Sequence, residues 1–253
     1  LREGNAPEAL ARLAKETGAT ALFYSNDPDP FGKAIERRIA SDPAFAGMEI
    51  RGFQDTAVHT GREVLTGSGT PFRVFTPYSK AWRKLPHPAP LPRPKSLPSL
   101  PEGLFSLPLP EVSRWRIGVP GTGVPEAGER AARTRLDGFL KSAAHTYQER
   151  RNIPGLPATS RLSQDLRFGT ISARTITARV EAAIPSAPPQ ARKSLECYLN
   201  EIIWREFYFH ILENFPEVLD CEFNPKLRGM PWPGRTMDLE RWQHGLTGFP
   251  IVD

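Results

Sequence analysis

Glu201-Ile202-Ile203-Trp204-Arg205-Glu206-Phe207-Tyr208 lies inside an unbroken helical pattern that follows Pro188-Pro189. At about 100° per residue, Glu201, Trp204, Arg205, Tyr208 and Leu212 share one face. Leu195, Leu199 and Ile202 point to a second side, and Ile203 and Phe207 to a third. A helix that is apolar on most sides is buried in a large domain. Its stripe of carboxylate, indole, guanidinium and phenol therefore lines a cavity or pairs within itself. A Glu201–Arg205 ion pair at i,i+4, beside core aromatics, is the purely structural outcome.

Upstream, Thr159-Ser160-Arg161-Leu162-Ser163 gathers three hydroxyls and a cation within five residues. It follows the Pro154-Gly155-Leu156-Pro157 turn. A loop of this kind is either simply solvated or coordinates phosphate oxygens, with Arg161 as counter-charge. It sits in the most basic part of the chain. Residues 141–180 hold seven basic and two acidic side chains, a net +5 that equals the charge of the whole chain. With a pI near 9.4, a polyanionic partner suits the chain, although such a charge is also ordinary.

The 253 residues suffice for one large domain or two smaller ones, and 39% are hydrophobic. Cys197 and Cys221 form no disulfide framework and no metal spacing, so a reducing, cytoplasmic setting is expected. The five histidines make no HxxxH or HxH, which argues against a metal site. Walker, GxGxxG and GxSxG patterns are absent, as is any membrane-length apolar run or signal peptide. The chain begins at Leu1 and stops at Asp253, so an internal fragment is expected.

Residues 6–17 read as a helix, with Pro7 in the first turn and Gly18 after the last. Strands are expected at 21–24 and 48–53, with a helix from Pro30 to Ala40 between them. That alternation predicts a parallel α/β sheet with only two visible strands. A short helix near Thr76-Pro77 closes this part. Nine prolines between Pro86 and Pro110 then impose an extended linker. Beyond it the chain is mostly helical: one helix from Pro125 to about Arg151, one from Ala173 to Ala183 capped by Ser172, and the long helix of the opening stretch. Leu239 to Trp242 is a short helix before a Gly245–Gly248 turn. The expected domains are 1–84 (α/β), 85–123 (linker) and 124–253 (all-α).

Four ordered motifs carry a family resemblance. Tyr147-x3-Arg151-x2-Pro154-x4-Thr159-Ser-Arg-Leu-Ser163-x2-Leu166-x2-Gly169-x-Ile171-Ser172-x-Arg174 resembles the flavin-domain signature of DNA photolyases and cryptochromes. Glu201 to Tyr208 resembles that family's substrate helix. Trp242-x2-Gly245-x-Thr247-Gly248-Phe-Pro-Ile-Val-Asp253 and Val74-Phe-Thr-Pro-Tyr78-x3-Trp82 resemble two further landmarks. The likeness is greatest to cyclobutane pyrimidine dimer photolyases of class I.

The resemblance implies an α/β antenna domain followed by an all-α FAD-binding domain, both partial here. It implies light-driven repair of cyclobutane dimers by an electron from excited reduced FAD. A cryptochrome-type photoreceptor is the alternative. By the same resemblance, Tyr147, Thr159, Ser160, Arg161, Leu162, Ser163, Tyr198 and Arg205 bind FAD. Glu201 and Trp204 are the catalytic pair. Arg151, Glu201, Trp204, Arg205 and Tyr208 meet damaged DNA, and Trp232 is the outermost tryptophan of an electron-transfer chain. A second chromophore, folate or deazaflavin, would lie near Asn26-Asp-Pro-Asp-Pro-Phe-Gly32, which departs from the family's patterns. The family's remaining flavin-pocket segments are not in this chain, so a monomeric fragment, inactive alone, is expected.

Overall fold

The structure is a computed structural model that describes residues 1–115, 123–231 and 234–253. Helix α1 (Ala6–Thr17) ends where Gly18 turns left-handed at φ 63° and its N–H closes on the Ala14 carbonyl. Strand β1 (Ala21–Ser25) pairs in parallel with β2 (Glu49–Phe53), Ala21 opposite Glu49 and Ser25 opposite Phe53. Helix α2 (Pro30–Ser41) makes the crossover. Asp29 caps it by accepting from the Phe31 N–H at 2.7 Å, and Pro30 takes the first helical position, where no N–H is needed. The expected α/β start is thus present, with two strands in parallel register among the described residues.

Helix α3 (Phe75–Trp82) follows. The described part of the Pro-rich segment 86–110 forms no helix or strand, as its missing N–H groups require. The second half is helical: α4 (Glu129–Lys141), α5 (Tyr147–Arg150), α6 (Ser163–Phe168), α7 (Ala173–Ala183) and α8 (Pro189–Asn214). Ser172 caps α7 from its hydroxyl to the Thr175 N–H at 3.1 Å.

The single helix expected from Pro125 to Arg151 is corrected. It starts only after Gly128, whose φ of 101° is not helical, and it breaks at Ser142 (φ −136°, ψ −87°). The Ser142 hydroxyl donates to the Gly138 carbonyl at 2.8 Å, drawing on a helix acceptor from its own side chain. A 3-10 turn over Ala143–Thr146 bridges to α5. The break aims Tyr147 inward, where it is buried.

The core of residues 1–216 gathers around α8, which packs on α3, α5 and α7. Leu195, Leu199, Ile202 and Ile203 are buried along it. Ser194, Glu206 and His210 are buried polar side chains on the same helix. Glu206 accepts from the Val58 N–H at 2.5 Å, the His59 N–H at 3.2 Å and the Trp82 indole N–H at 2.6 Å. His210 has the Gly61 carbonyl 2.8 Å from Nδ1 and the Phe72 carbonyl 3.1 Å from Nε2. Gly61 approaches α8 so closely that a Cβ there would stand 3.2 Å from the His210 Cα. Only glycine fits without displacing the helix.

Residues 217–253 form a separate compact unit. Its helix α9 (Thr236–Gln243) is longer than the short helix expected at Leu239–Trp242. Gly245 and Gly248 both turn left-handed after it. The Asp253 carboxylate accepts from the N–H groups of Thr247 and Gly248, both at 2.8 Å. The Thr247 hydroxyl beside it holds the carboxyl below the usual carboxylate range. No described helix is long and apolar enough to cross a membrane.

Candidate functional site

The N-terminal half of α8 meets the turn that ends the α4–α5 region. Tyr147 and Tyr198 cross edge to face at 5.2 Å, and Phe139 packs against both. Burial pushes the Tyr198 phenol up to about 12, against a hydrogen bond with Ser160 that pulls it down. Burial likewise raises the Tyr147 phenol, which Arg151 opposes by hydrogen bonding. Both tyrosines thus stay neutral donors near pH 7.

Ser160 belongs to the hydroxyl-rich loop. Ala158 and Leu162 are its buried anchors, while Thr159, Arg161 and Ser163 are exposed. Arg161 is the one described non-glycine residue with positive φ, 49°. Such a residue is uncommon outside glycine. Behind the loop, Asp165 is buried and clamped by Arg135, with Nε to Oδ2 at 3.1 Å and Nη2 to Oδ1 at 2.7 Å. Thr170 donates to the same carboxylate at 2.9 Å. The nearest acid of the loop is therefore spent inward, and its outer rim carries hydroxyls and a cation.

Glu201 does not pair with Arg205. Its carboxylate forms an ion pair with Arg151, both side chains part-exposed. That pair raises the Arg151 guanidinium above its ordinary range. Arg205 instead donates to the Thr56 carbonyl at 2.6 Å and lies over the Phe209 ring at 4.5 Å. Burial lowers its guanidinium, and neighbouring Glu206 pushes back. The i,i+4 pair expected as the structural outcome is thus replaced by a pairing with α5's end and by a tie to the segment after β2.

Trp204 stacks on Phe75 of α3, and Tyr208 is 63% exposed beside it. Tyr147, Arg151, Ser160, Tyr198 and Glu201 thus converge in one cluster, with Trp204 about one turn and Tyr208 about two turns further along α8. Arg205 faces away toward Thr56. Trp232 lies outside the described residues. Sequence reasoning missed Glu206, His210 and Phe75. The signal for the first two was a Glu and a His at i,i+4 on an otherwise apolar side of α8. Nothing local marks Phe75.

A second feature lies at the C-terminal end of β1. A cavity of about 510 Å³ is lined by Asn26, Asp27, Lys33, Glu36, Arg37 and Arg62 among others. The Asn26–Gly32 stretch singled out from sequence forms part of its wall. Among the described residues no cluster of His, Cys, Asp or Glu can hold a metal.

Two family models match parts of the chain. Residues 1–95 match DNA photolyase, and residues 198–253 match the FAD binding domain of DNA photolyase. The chain belongs to the DNA photolyase family. A deoxyribodipyrimidine photo-lyase from Synechococcus sp. is 32% identical over 261 residues, covering 100% of this chain and 54% of the relative. A bacterial class III photolyase structure from Agrobacterium tumefaciens superposes with a TM-score of 0.85 at 29% identity, over 98% of this chain and 52% of that one. A Synechocystis cryptochrome shares the fold, with a TM-score of 0.83 at 21% identity over 97% of this chain and 52% of that one. The chain therefore spans about half the length of the photolyases it matches.

Proposed function

We propose that this chain contributes the flavin-phosphate surface and the lesion-facing surface of a photo-lyase that repairs cyclobutane pyrimidine dimers in DNA. One observation carries the reading. The Tyr147, Arg151, Ser160, Tyr198 and Glu201 side chains meet at the helix that also presents Trp204. The residues present fit FAD: the Thr159–Ser163 rim offers hydroxyls and Arg161, and its acid is withdrawn to Arg135. Thr159, Ser160, Arg161 and Ser163 would hold the phosphates, with Tyr147 and Tyr198 behind them. The chemistry that reduced FAD would supply there is light-driven electron donation to the cyclobutane ring, with no net redox change once the electron returns. The same reading divides the chain into an antenna segment, 1–84, a linker, 85–123, and a flavin segment, 124–253. The 510 Å³ cavity beside Asn26 would take the second chromophore.

A dimer stacks and pairs badly, so flipping it from the duplex costs less than flipping an intact base. Trp204 supplies a stacking surface to receive it. Glu201 supplies a hydrogen-bonding group one turn away on the same stripe. Arg151 cannot serve Glu201 and a DNA phosphate with the same N–H groups. Engagement of the phosphate would release Glu201 toward the lesion, where as a carboxylate it would accept from a pyrimidine N–H and as the protonated acid it would donate to a pyrimidine carbonyl.

The test is dark binding of dimer-containing DNA and repair yield per absorbed photon, with FAD bound. Trp204→Ala should lose about 1–3 kcal/mol of lesion affinity and leave undamaged DNA unaffected. Glu201→Ala should mainly lower the yield, with about 0.5–1.5 kcal/mol of affinity lost for one hydrogen bond. Flavin photochemistry without loss of dimers would instead favour a cryptochrome-type photoreceptor.

A further inference from the structure

The consecutive residues Asn152 to Pro157 all stand exposed between two fixed ends. At the first end the Arg151 N–H closes on the Tyr147 carbonyl at 3.0 Å, and the Arg151 side chain is paired with Glu201. At the second end Ala158 is buried, just before Ser160. The stretch is folded on itself. The Ile153 N–H reaches the Arg150 carbonyl at 3.0 Å, the Leu156 N–H the Ile153 carbonyl at 3.1 Å, and the Ala158 N–H the Leu156 carbonyl at 2.8 Å. Pro154 and Pro157 fix two of its φ angles. It is therefore a stiff protrusion, and both of its roots lie in the cluster that holds Glu201 and Ser160.

Turn tips are usually built from polar residues, Gly and Pro. This one carries Ile153, Pro154, Leu156 and Pro157, and no charge. Ile153 is 48% exposed and Leu156 41%. The charges stand at its base instead, Arg150 and Arg151 before it and Arg161 after it. A stiff apolar tip on a cationic base suits a polyanion whose apolar interior has been opened. Ile, Leu and Pro are side chains that proteins insert between base steps, while cations beside them meet phosphates. Flipping a dimer out of a duplex makes such an opening: the stack is left with a gap, and the bases opposite lose their partners.

We propose that the Ile153–Leu156 tip is a wedge that enters duplex DNA where the dimer has left the stack. It packs against the bases that remain and holds the lesion out. The inference rests on the reading of the Glu201–Trp204 face as the lesion-facing surface, and it adds a contact that only a duplex can offer. A single strand has no opposite bases to lose their partners and no gap to fill. The wedge therefore favours dimers in duplex DNA over the same dimers in single strands.

The experiment is dark binding, with FAD bound, of one dimer-containing strand alone and annealed to its complement. Ile153→Ser combined with Leu156→Ser should weaken binding to the duplex about tenfold and leave the single strand unaffected. Ile153→Met combined with Leu156→Met keeps the tip apolar and should bind both like the parent. Phe168→Ser removes an apolar side chain that is 81% exposed outside the protrusion, and it should change neither. Trp204→Ala, by contrast, should weaken both forms alike. Unchanged duplex affinity in the double serine variant overturns the wedge. So does an equal loss on the single strand, or a loss of duplex affinity with Phe168→Ser. Normal binding of both forms by Trp204→Ala sinks the lesion-facing reading itself, and the wedge with it.

Discussion

Phe75 and Trp204 lie face to face, with ring centroids 3.7 Å apart and planes 6° from parallel. Phe207 meets both edge-on, at 5.9 and 5.7 Å. The Trp204 indole is therefore held in one plane by α3, an element from the other half of the sequence. Phe75→Leu should destabilise the protein by about 0.5–1.5 kcal/mol, the aromatic pair's worth beyond area. Lesion affinity should fall with it while undamaged DNA binds as before. Denaturant unfolding and dark binding measure the two effects. Normal lesion affinity in Phe75→Leu would mean that Trp204 needs no such support.

Glu206 is a second cross-connection. Without donors, a buried carboxylate costs several kcal/mol, and burial does raise its carboxyl above the ordinary range while Val58, Trp82 and His59 pull it back. Trp82→Phe should cost about 1.5–3 kcal/mol, the value of a hydrogen bond to a charged group. Glu206→Gln should also destabilise, because its NH2 opposes an N–H that now points at a carboxylate oxygen. The double variant should lose less than the sum of the two. Strict additivity in urea unfolding would show the Trp82–Glu206 bond to be energetically idle.

Stability should fall as pH drops below about 6.5, before ordinary carboxylates titrate. Burial lowers both His59 and His210. Below the unfolded-state value the unfolded chain takes up these protons first, so the slope of unfolding free energy against pH is positive there. Urea midpoints between pH 5.5 and 7.5 give the sign directly. Greater stability at the acid end would show that His210 folds as an imidazolium donating to both carbonyls.

Arg161 carries opposed demands on stability and binding. Its φ of 49° is strained for a side chain with a Cβ, and glycine adopts it freely. Arg161→Gly should leave stability within about 1 kcal/mol of the parent, strain relief offsetting the added freedom of the unfolded chain. Flavin affinity should nevertheless fall, because the rim loses its cation. Thermal unfolding without flavin and flavin titration separate the two. Unchanged flavin affinity would place the phosphates elsewhere.

Much of the fold was legible because it follows local rules. The α1–β1–α2–β2 alternation and the parallel pairing came from periodicity and caps, and α8 from its apolar sides. The site was legible as residue types but not as partnerships. For Glu201, helical spacing offered only its i,i+4 neighbour Arg205 as a structural partner. Glu201 pairs with Arg151, fifty positions away in sequence, and helical spacing carries no information about such a partner. The kink at Ser142 was hidden because a side-chain-to-backbone bond leaves no mark on hydrophobic periodicity.

Through Glu206, His210 and Arg205, α8 is tied across the sequence to Val58, His59, Gly61, Phe72, Trp82 and Thr56, besides the nearer Leu166 carbonyl; none of these six lies in the second half. Every one of the six precedes the Pro-rich stretch. The two halves are therefore not free to be inherited separately. A chimera that grafts residues 1–84 of a relative onto this helix must import partners of matching shape and donor geometry. Recombination within this lineage should tolerate crossovers in the proline stretch only between parents that agree at both ends of these bonds.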